Sequence, residues 1–363
     1  MNNPDPMTSA ADVRSDTFRW PSRPRICILG AGAIGGFFGT RLALGNADVS
    51  VLARGATLNA LQERGWTLES AGQTTVARVN AVASTQALGV QDLVFLTVKA
   101  YALGDIAGQI APLLGPHTMV IPAINGVPWW FAGGVDYRLQ VGQAGQAGQA
   151  DSGALRHALQ NVDPHGQIAA AIPIGQVIGS VVYPACSTPA PGVCRHASGT
   201  RLVFGEIGTA LSSPRISALV AFLNSCGFDA EFSTDIRIEV WKKLLGNACF
   251  NPVSLITGSA TDLMIADPAI NALFVTLMHE TIAVGRALGL EVGITPTERI
   301  AITRKLGHVK TSMLQDTQAG RKIELDAILG AVIELARRTN TLTPASDTVY
   351  ALAKMRAQIL GLI

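Results

Sequence analysis

The stretch Arg25-Ile26-Cys27-Ile28-Leu29-Gly30-Ala31-Gly32-Ala33-Ile34-Gly35-Gly36 constrains this chain most, because a short apolar run delivers the backbone into a G-x-G-x-x-G turn. A run of that length bounded by glycines reads as a buried strand, and the glycine-rich segment after it reads as the opening of a helix. Gly30 permits the tight turn, Gly32 lets the backbone approach a pyrophosphate, and Gly35 lets the helix pack close to the strand. With Ala31, Ala33 and Ile34 between them, these residues form the expected phosphate-binding segment. The first free N–H groups of the helix would point at the phosphates.

About twenty residues beyond this turn, a second apolar run, Val49-Ser50-Val51-Leu52-Ala53-Arg54, ends where a Rossmann fold places its ribose-reading side chain. An NAD site carries Asp or Glu there. This run ends in Arg54, and no carboxylate follows before Glu63. A guanidinium offers a planar, charged fork to a 2′-phosphate. The expected cofactor is therefore NADPH or its oxidised form, NADP+.

At 363 residues the chain exceeds the size at which single cores stop growing, so two domains are expected. Lys and Arg number 28 against 26 Asp and Glu, which leaves no electrostatic footprint for nucleic acid. The five cysteines, Cys27, Cys186, Cys194, Cys226 and Cys249, show no C-x-x-C and no histidine at zinc spacing. They are expected to be small buried side chains in a reducing, cytoplasmic compartment, with no metal site. Mean hydropathy is +0.31, yet no run approaches the ~18 apolar residues of a membrane span. Residues 1–24 lack the apolar stretch of a secretory signal and are expected to be a disordered tail, with Met7 a second candidate start. Residues 142–150 read GQAGQAGQA, a repeat expected to form a surface loop without chemistry.

Two further short apolar runs come next. Asp92-Leu93-Val94-Phe95-Leu96-Thr97-Val98-Lys99 ends in a cation, and Met119-Val120-Ile121-Pro122-Ala123-Ile124 closes on Asn125-Gly126. Ligands gather at the carboxyl ends of strands in an open α/β sheet, where Lys99 and Asn125 fall. Taken singly, each is equally a solvated lysine or an ordinary Asn-Gly turn. Residues 177–205 alternate apolar runs with Pro and Gly and are expected to be antiparallel strands completing a first domain over residues 25–234. From residue 235 to residue 363 apolar residues recur at helical spacing, with helices expected over 271–288, over 327–338 and from Thr343-Pro344 onward. The fold class expected is an α/β N-terminal Rossmann-type dinucleotide-binding domain followed by an all-α C-terminal domain.

Trp241-Lys242-Lys243-Leu244-Leu245-Gly246-Asn247-Ala248-Cys249-Phe250-Asn251-Pro252 opens the helical part. On a helix Lys243, Asn247 and Asn251 share one stripe, and polar groups on a mostly apolar helix are costly to bury unless something pairs with them. A solvent-facing stripe is the alternative, although Asn is a poor helix former on an exposed face. Pro252 is expected to end or kink this helix.

With these motifs in this order, the chain resembles the ketopantoate reductase family of NADPH-dependent 2-dehydropantoate 2-reductases. The family pattern also contains S-M-L-Q-D followed by Glu, found here as Ser312-Met313-Leu314-Gln315-Asp316 and Glu324. The resemblance implies that Lys243 donates the proton, that Asn247 and Asn251 hold substrate, and that Ser312 binds its carboxylate. It also implies that Asn125 lies between cofactor and substrate, that Lys99 belongs to the cofactor site, and that Glu324 closes the site near the nicotinamide. On one straight helix Ser312 and Glu324 would lie about 120° apart, so Gly320 is expected to break the run.

Three features depart from the pattern. The family places a further substrate-binding asparagine ten residues after the N-P asparagine, where this chain has Thr261; Pro128-Trp129-Trp130-Phe131 comes after the N-G turn with unusual bulk; and the GQA repeat is inserted. The function implied is reduction of a 2-keto acid to a 2-hydroxy acid, foremost 2-dehydropantoate to pantoate, by a protein with no nucleic-acid or membrane partner and a possible homodimer. The alternatives are a related reductase of another keto acid or ketone, and a non-catalytic NADP(H) sensor.

Overall fold

The computed structural model describes residues 20–132, 158–208 and 211–363. The GQA repeat and most of the N-terminal segment lie outside these residues; Trp20 packs on Phe222 at 5.3 Å between ring centroids.

The N-terminal half is built on five parallel strands, β1 (Arg25–Leu29), β2 (Asp48–Leu52), β5 (Asn80–Val82), β6 (Leu93–Leu96) and β7 (Met119–Pro122), in the order β5-β2-β1-β6-β7. Reversal of order at β1 opens a crevice at the carboxyl ends of β1 and β6, the place where such sheets bind ligands. Ile26, Cys27, Ile28 and Leu29 are buried, as are all four residues of β6, which explains why both runs are continuously apolar. Helix α1 (Ala33–Leu44) follows β1, and α2 (Gly55–Arg64) follows β2.

The hairpin β3 (Trp66–Ser70) and β4 (Gln73–Ala77) forms a second sheet with β9 (Ala185–Ala190) and β10 (Val193–Ser198), in the order β4-β3-β10-β9. A third sheet holds β8 (Ile178–Val182), β11 (Arg201–Glu206) and β12 (Asp229–Phe232). Antiparallel pairing is therefore only part of the region 177–205: β8 with β11 and β9 with β10 are antiparallel, whereas β10 runs parallel to β3 and β11 to β12. Those partners are distant in sequence, so local alternation cannot reveal them. Short helices α3 (Leu103–Ile106) and α4 (Gln167–Ala171) and the longer α5 (Pro214–Ser225) complete this half.

From residue 236 onward the described chain is helical: α6 (Ile236–Thr257), α7 (Thr261–Ala266), α8 (Pro268–Ala287), α9 (Pro296–Arg304), α10 (Ser312–Gln318), a π-helical turn over Asp326–Gly330, α11 (Ala331–Arg338) and α12 (Pro344–Ile359). Asp235 caps α6 by accepting from the N–H groups of Arg237 and Ile238. Of the two expected effects of Pro252, an end or a kink, the end is corrected, since α6 continues to Thr257 and stops only at Gly258, whose φ is +69°. Proline removes a single ladder bond, and burial of Val253, Ser254 and Leu255 after it holds the last turn in place. Trp129, Trp130 and Phe131 are buried in the core, with Phe131 stacked on Trp241 at 5.5 Å. The unusual bulk after the N-G turn therefore fills interior space.

Candidate active site

The turn after β1 is shaped by two close approaches. Gly30 has φ +121°, and a Cβ on Gly35 would overlap the Gly30 carbonyl oxygen. Thr97 Oγ1 donates to that same oxygen at 2.7 Å, locking the turn to the end of β6. Gly32, by contrast, faces open space: a Cβ there would meet nothing within 4 Å. It is the N-cap of α1, makes no side-chain cap bond, and has no acidic residue in the first turn of the helix. An uncapped helix N-terminus beside an open cradle fits a pyrophosphate. Ala33 and Ile34 are half-buried and Ala31 lies at its edge, while Arg54, exposed, stands at the end of β2 as the N-cap residue of α2.

Beside this cradle, Lys99 Nζ donates to Asp316 Oδ2 at 2.7 Å and to Glu324 Oε2 at 3.2 Å. The other oxygen of Glu324 accepts from the backbone N–H of Ala100 at 3.0 Å, and Arg321 donates to Asp316 Oδ1 at 2.9 Å. Burial alone would lower the Lys99 ammonium, but Glu324 and Asp316 overcome it and hold the pKa above its ordinary value. Asp316 lies within the S-M-L-Q-D run, yet nothing in the sequence singles it out; its side chain is only 8% exposed. Gly320, with φ +63°, lies just past the end of α10, so Ser312 and Glu324 do not share a straight helix.

On α6, Lys243 Nζ donates to Asn125 Oδ1 at 2.8 Å and to the Val182 carbonyl at 2.6 Å, joining the helix to the turn after β7 and to the end of β8. The turn itself closes on the helical half: Gly126 has φ +87°, and Val127 N–H donates to Ala327 O at 2.8 Å. Lys243, Asn247 and Asn125 line one cavity with Ser180 and Leu244. Desolvation pushes the Lys243 ammonium down to about 8, with the Glu324 carboxylate pulling the other way. Asn251 is buried, and among the described residues its Nδ2 has no hydrogen-bond partner. A buried amide donor left unpaired costs about 1–3 kcal/mol, an expense explained when a ligand supplies the acceptor.

Ser312 is the first residue of α10 and is exposed. Its neighbour Thr311 caps that helix by accepting from Leu314 N–H at 3.1 Å and shares a 2.6 Å hydrogen bond with Ser254 on α6. Ser254 in turn donates to Asn251 O at 2.7 Å, so Ser312 is moored beside the last turns of α6. Thr261, where the family pattern has asparagine, is buried, and its hydroxyl is directed at the backbone carbonyls of Val309 at 3.1 Å and Gly307 at 3.3 Å.

The family model described as ketopantoate reductase PanE/ApbA matches residues 26–128, and the model of its C-terminal part matches residues 235–357. The chain is 42% identical over 334 residues to the 2-dehydropantoate 2-reductase of Mesorhizobium japonicum, covering 92% of this chain and 98% of that one. A crystal structure from Ralstonia solanacearum, described as a ketopantoate reductase, aligns with TM-score 0.85 and 42% identity over 94% of this chain and all of that one. The 2-dehydropantoate 2-reductase of Methylococcus capsulatus aligns with TM-score 0.75 and 27% identity over 92% of this chain and 97% of that one. A glycine cradle, a carboxylate-paired lysine at the strand ends, and an amide-lined lysine on α6 are thus found on a chain with these likenesses: it belongs to the ketopantoate reductase family and is a nicotinamide-dependent oxidoreductase.

Proposed function

We propose that this protein reduces a 2-keto acid to a 2-hydroxy acid with NADPH, and that its substrate is 2-dehydropantoate. The observation that carries the reading is Lys243: a lysine whose pKa is pushed down to about 8, held at 2.8 Å from Asn125, with a buried, unpartnered amide further along the same helix. When bound, NADPH supplies the hydride that reduces the carbonyl carbon. Lys243 polarises the carbonyl oxygen as negative charge develops and delivers the proton to the alkoxide. Asn247 and Asn251 hold the substrate against that ammonium, and Asn125 keeps the lysine oriented between the two halves. Lys99 and Glu324 border the nicotinamide end, the glycine cradle takes the pyrophosphate, and Arg54 reads the 2′-phosphate. The 2-dehydropantoate 2-reductase name of the Mesorhizobium relative supports this substrate. A cytoplasmic location follows from the same reading, since the cofactor and free thiols belong to a reducing compartment.

The test is NADPH oxidation followed with 2-dehydropantoate, wild type beside Lys243→Ala. The expected outcome is turnover in the wild type, a loss of about 10²–10⁴-fold in kcat in the variant, and unchanged NADPH affinity. A variant with near-normal kcat would overturn the proton-donor role, and a wild type that turns over other 2-keto acids but not this one would move the substrate.

A further inference from the structure

Helix α12 carries apolar side chains on two faces, and one of them is left uncovered. Ser346, Val349, Ala353 and Ala357 are buried, and the helix packs on α6 and α8. Leu352, Met355 and Ile359, in contrast, are 56%, 58% and 77% exposed. Their spacing of three and then four residues puts them on one stripe along the helix, turned away from the buried one. Leu342 just before the helix, and Leu360 and Ile363 just after it, are exposed as well. Single exposed apolar side chains are ordinary on a surface, but a contiguous row of them marks a face that meets something. A helix with an apolar stripe on each side is expected to be covered on both.

The charges on α12 point to what covers the stripe. Its acidic residue, Asp347, lies in the first turn, and its basic residues, Lys354 and Arg356, lie in the second half. Asp347 and Lys354 are two turns apart and so share one flank of the stripe. Both stay accessible: the Asp347 side chain is 46% exposed with Arg337 at 3.4 Å, and that of Lys354 is 42% exposed, its Nζ 3.2 Å from the Tyr350 hydroxyl. When two such helices meet stripe to stripe and antiparallel, across a twofold axis beside Leu352, the acidic half of each faces the basic half of the other. Such an axis also keeps like flanks together, so Asp347 comes level with the turns around Lys354 of the second copy, and the contact forms twice. Leu352 and Met355 then meet their own copies at the centre, and Ile359 reaches the start of the other helix. A parallel pairing sets acidic half beside acidic half and basic beside basic.

We propose that the exposed stripe of α12 is a docking surface for a second copy of this chain, the two helices pairing antiparallel across a twofold axis. The inference goes beyond the keto-acid reading and does not rest on it. Area fixes its strength. The 16 residues of α12 span about 24 Å, and a stripe about 10 Å wide gives roughly 250 Å² per copy. Flanking residues, with Leu342, Leu360 and Ile363, enlarge that contact, but it stays below the ~800 Å² per copy of a standard interface. The pair is therefore reversible, in exchange with the monomer at micromolar concentrations.

Sedimentation velocity of the full chain, from about 1 to about 500 µM, tests the proposal. The wild type is expected to pass from monomer to dimer with a Kd of about 10–100 µM, and Met355→Glu to raise that Kd about tenfold or more. Asp347→Lys is expected to weaken the dimer about three- to tenfold. Adding Lys354→Asp to it restores the opposite charges across the axis and is expected to bring the Kd back toward the wild-type value, which mere damage to the helix would not do. Melting temperature of each variant checks that α12 stays folded. A wild type that remains monomeric throughout overturns the proposal. So does a dimer that Met355→Glu leaves intact, because that dimer uses another face. A monomer that instead sediments with vesicles of zwitterionic and anionic phospholipid, and no longer does so as Met355→Glu, gives the stripe to a lipid surface and overturns the pairing equally.

Discussion

At the residue scale the chemistry rests on which polar groups are paired and which are kept waiting. Lys243 is paired with a neutral amide and a carbonyl rather than with a carboxylate, so burial dominates and its pKa falls to about 8. Below pH 8 the ammonium is present and can donate; as pH rises through about 8 the donor is lost. Reduction measured as kcat at saturating keto acid is therefore expected to decline with a midpoint near 8, and oxidation of the hydroxy acid, which needs the free amine, to rise over the same interval. The sign for stability follows from the same depression: burying the ammonium opposes folding below pH 8, and that cost fades as the pH climbs toward the unfolded value of 10.5. Asn251 makes the complementary case. Asn251→Leu removes an unpaired buried donor and is expected to leave stability unchanged or raise it by up to about 1 kcal/mol in urea denaturation, while KM for the keto acid rises. A large loss of stability would show that the amide is structural. The shared stripe of Lys243, Asn247 and Asn251 was legible in the sequence from their helical spacing, and their roles were implied by the family resemblance. Asp316 was not, because a carboxylate is ordinary on a helix until its partner Lys99 arrives from another strand.

At the element scale, helix ends are satisfied by side chains from far away. Glu280 on α8 accepts from the N–H groups of Ala345 and Ser346 at 2.9 and 2.8 Å and from the Ser346 hydroxyl at 2.6 Å, capping α12 from outside. A carboxylate at a helix N-terminus also interacts favourably with the helix dipole. Glu280→Ala is accordingly expected to lower the unfolding free energy by about 1–2 kcal/mol, read from the denaturation midpoint at constant slope, with kcat unaffected. The expected helix starting near Asn271 begins instead at Pro268, because Asp267 caps it by accepting from Ala269 and Ile270. The helix expected over 327–338 is present and continuous, but its first part is wound as a π-helical turn over Asp326–Gly330 that leads into α11. The carbonyl of Ala327 in that turn accepts from the N–H of Val127, so the irregularity sits where the helical half meets the N-G turn.

At the scale of the whole molecule, the cleft exists only because two halves that differ in architecture meet. Lys99 reaches from the sheet to Asp316 and Glu324, and Lys243 reaches from α6 to Asn125 and Val182. A cofactor lying in this cleft touches both halves, so NADPH is expected to raise the melting of the chain as a single transition. At a hundred times its Kd the added stability is about 2.7 kcal/mol. Arg54→Ala is expected to shift that stabilisation to much higher NADPH concentrations while leaving the response to NADH nearly unchanged. Equal weakening toward both cofactors would remove Arg54 from 2′-phosphate recognition.

The sequence by itself determined the buried strand leading into the glycine turn, the helical second half, and the residue types of the site, because periodicity, turn chemistry and helical spacing are local properties. Tertiary structure alone decided that Trp129 and Trp130 serve the core, that α6 runs through Pro252, and that Thr261 is directed at backbone carbonyls. It also decided that Asn251 is left, among the described residues, with an orphan donor. Each of these is settled by contacts between residues far apart in the chain, and whether a polar group is paired or left unpaired depends on neighbours that only folding brings together.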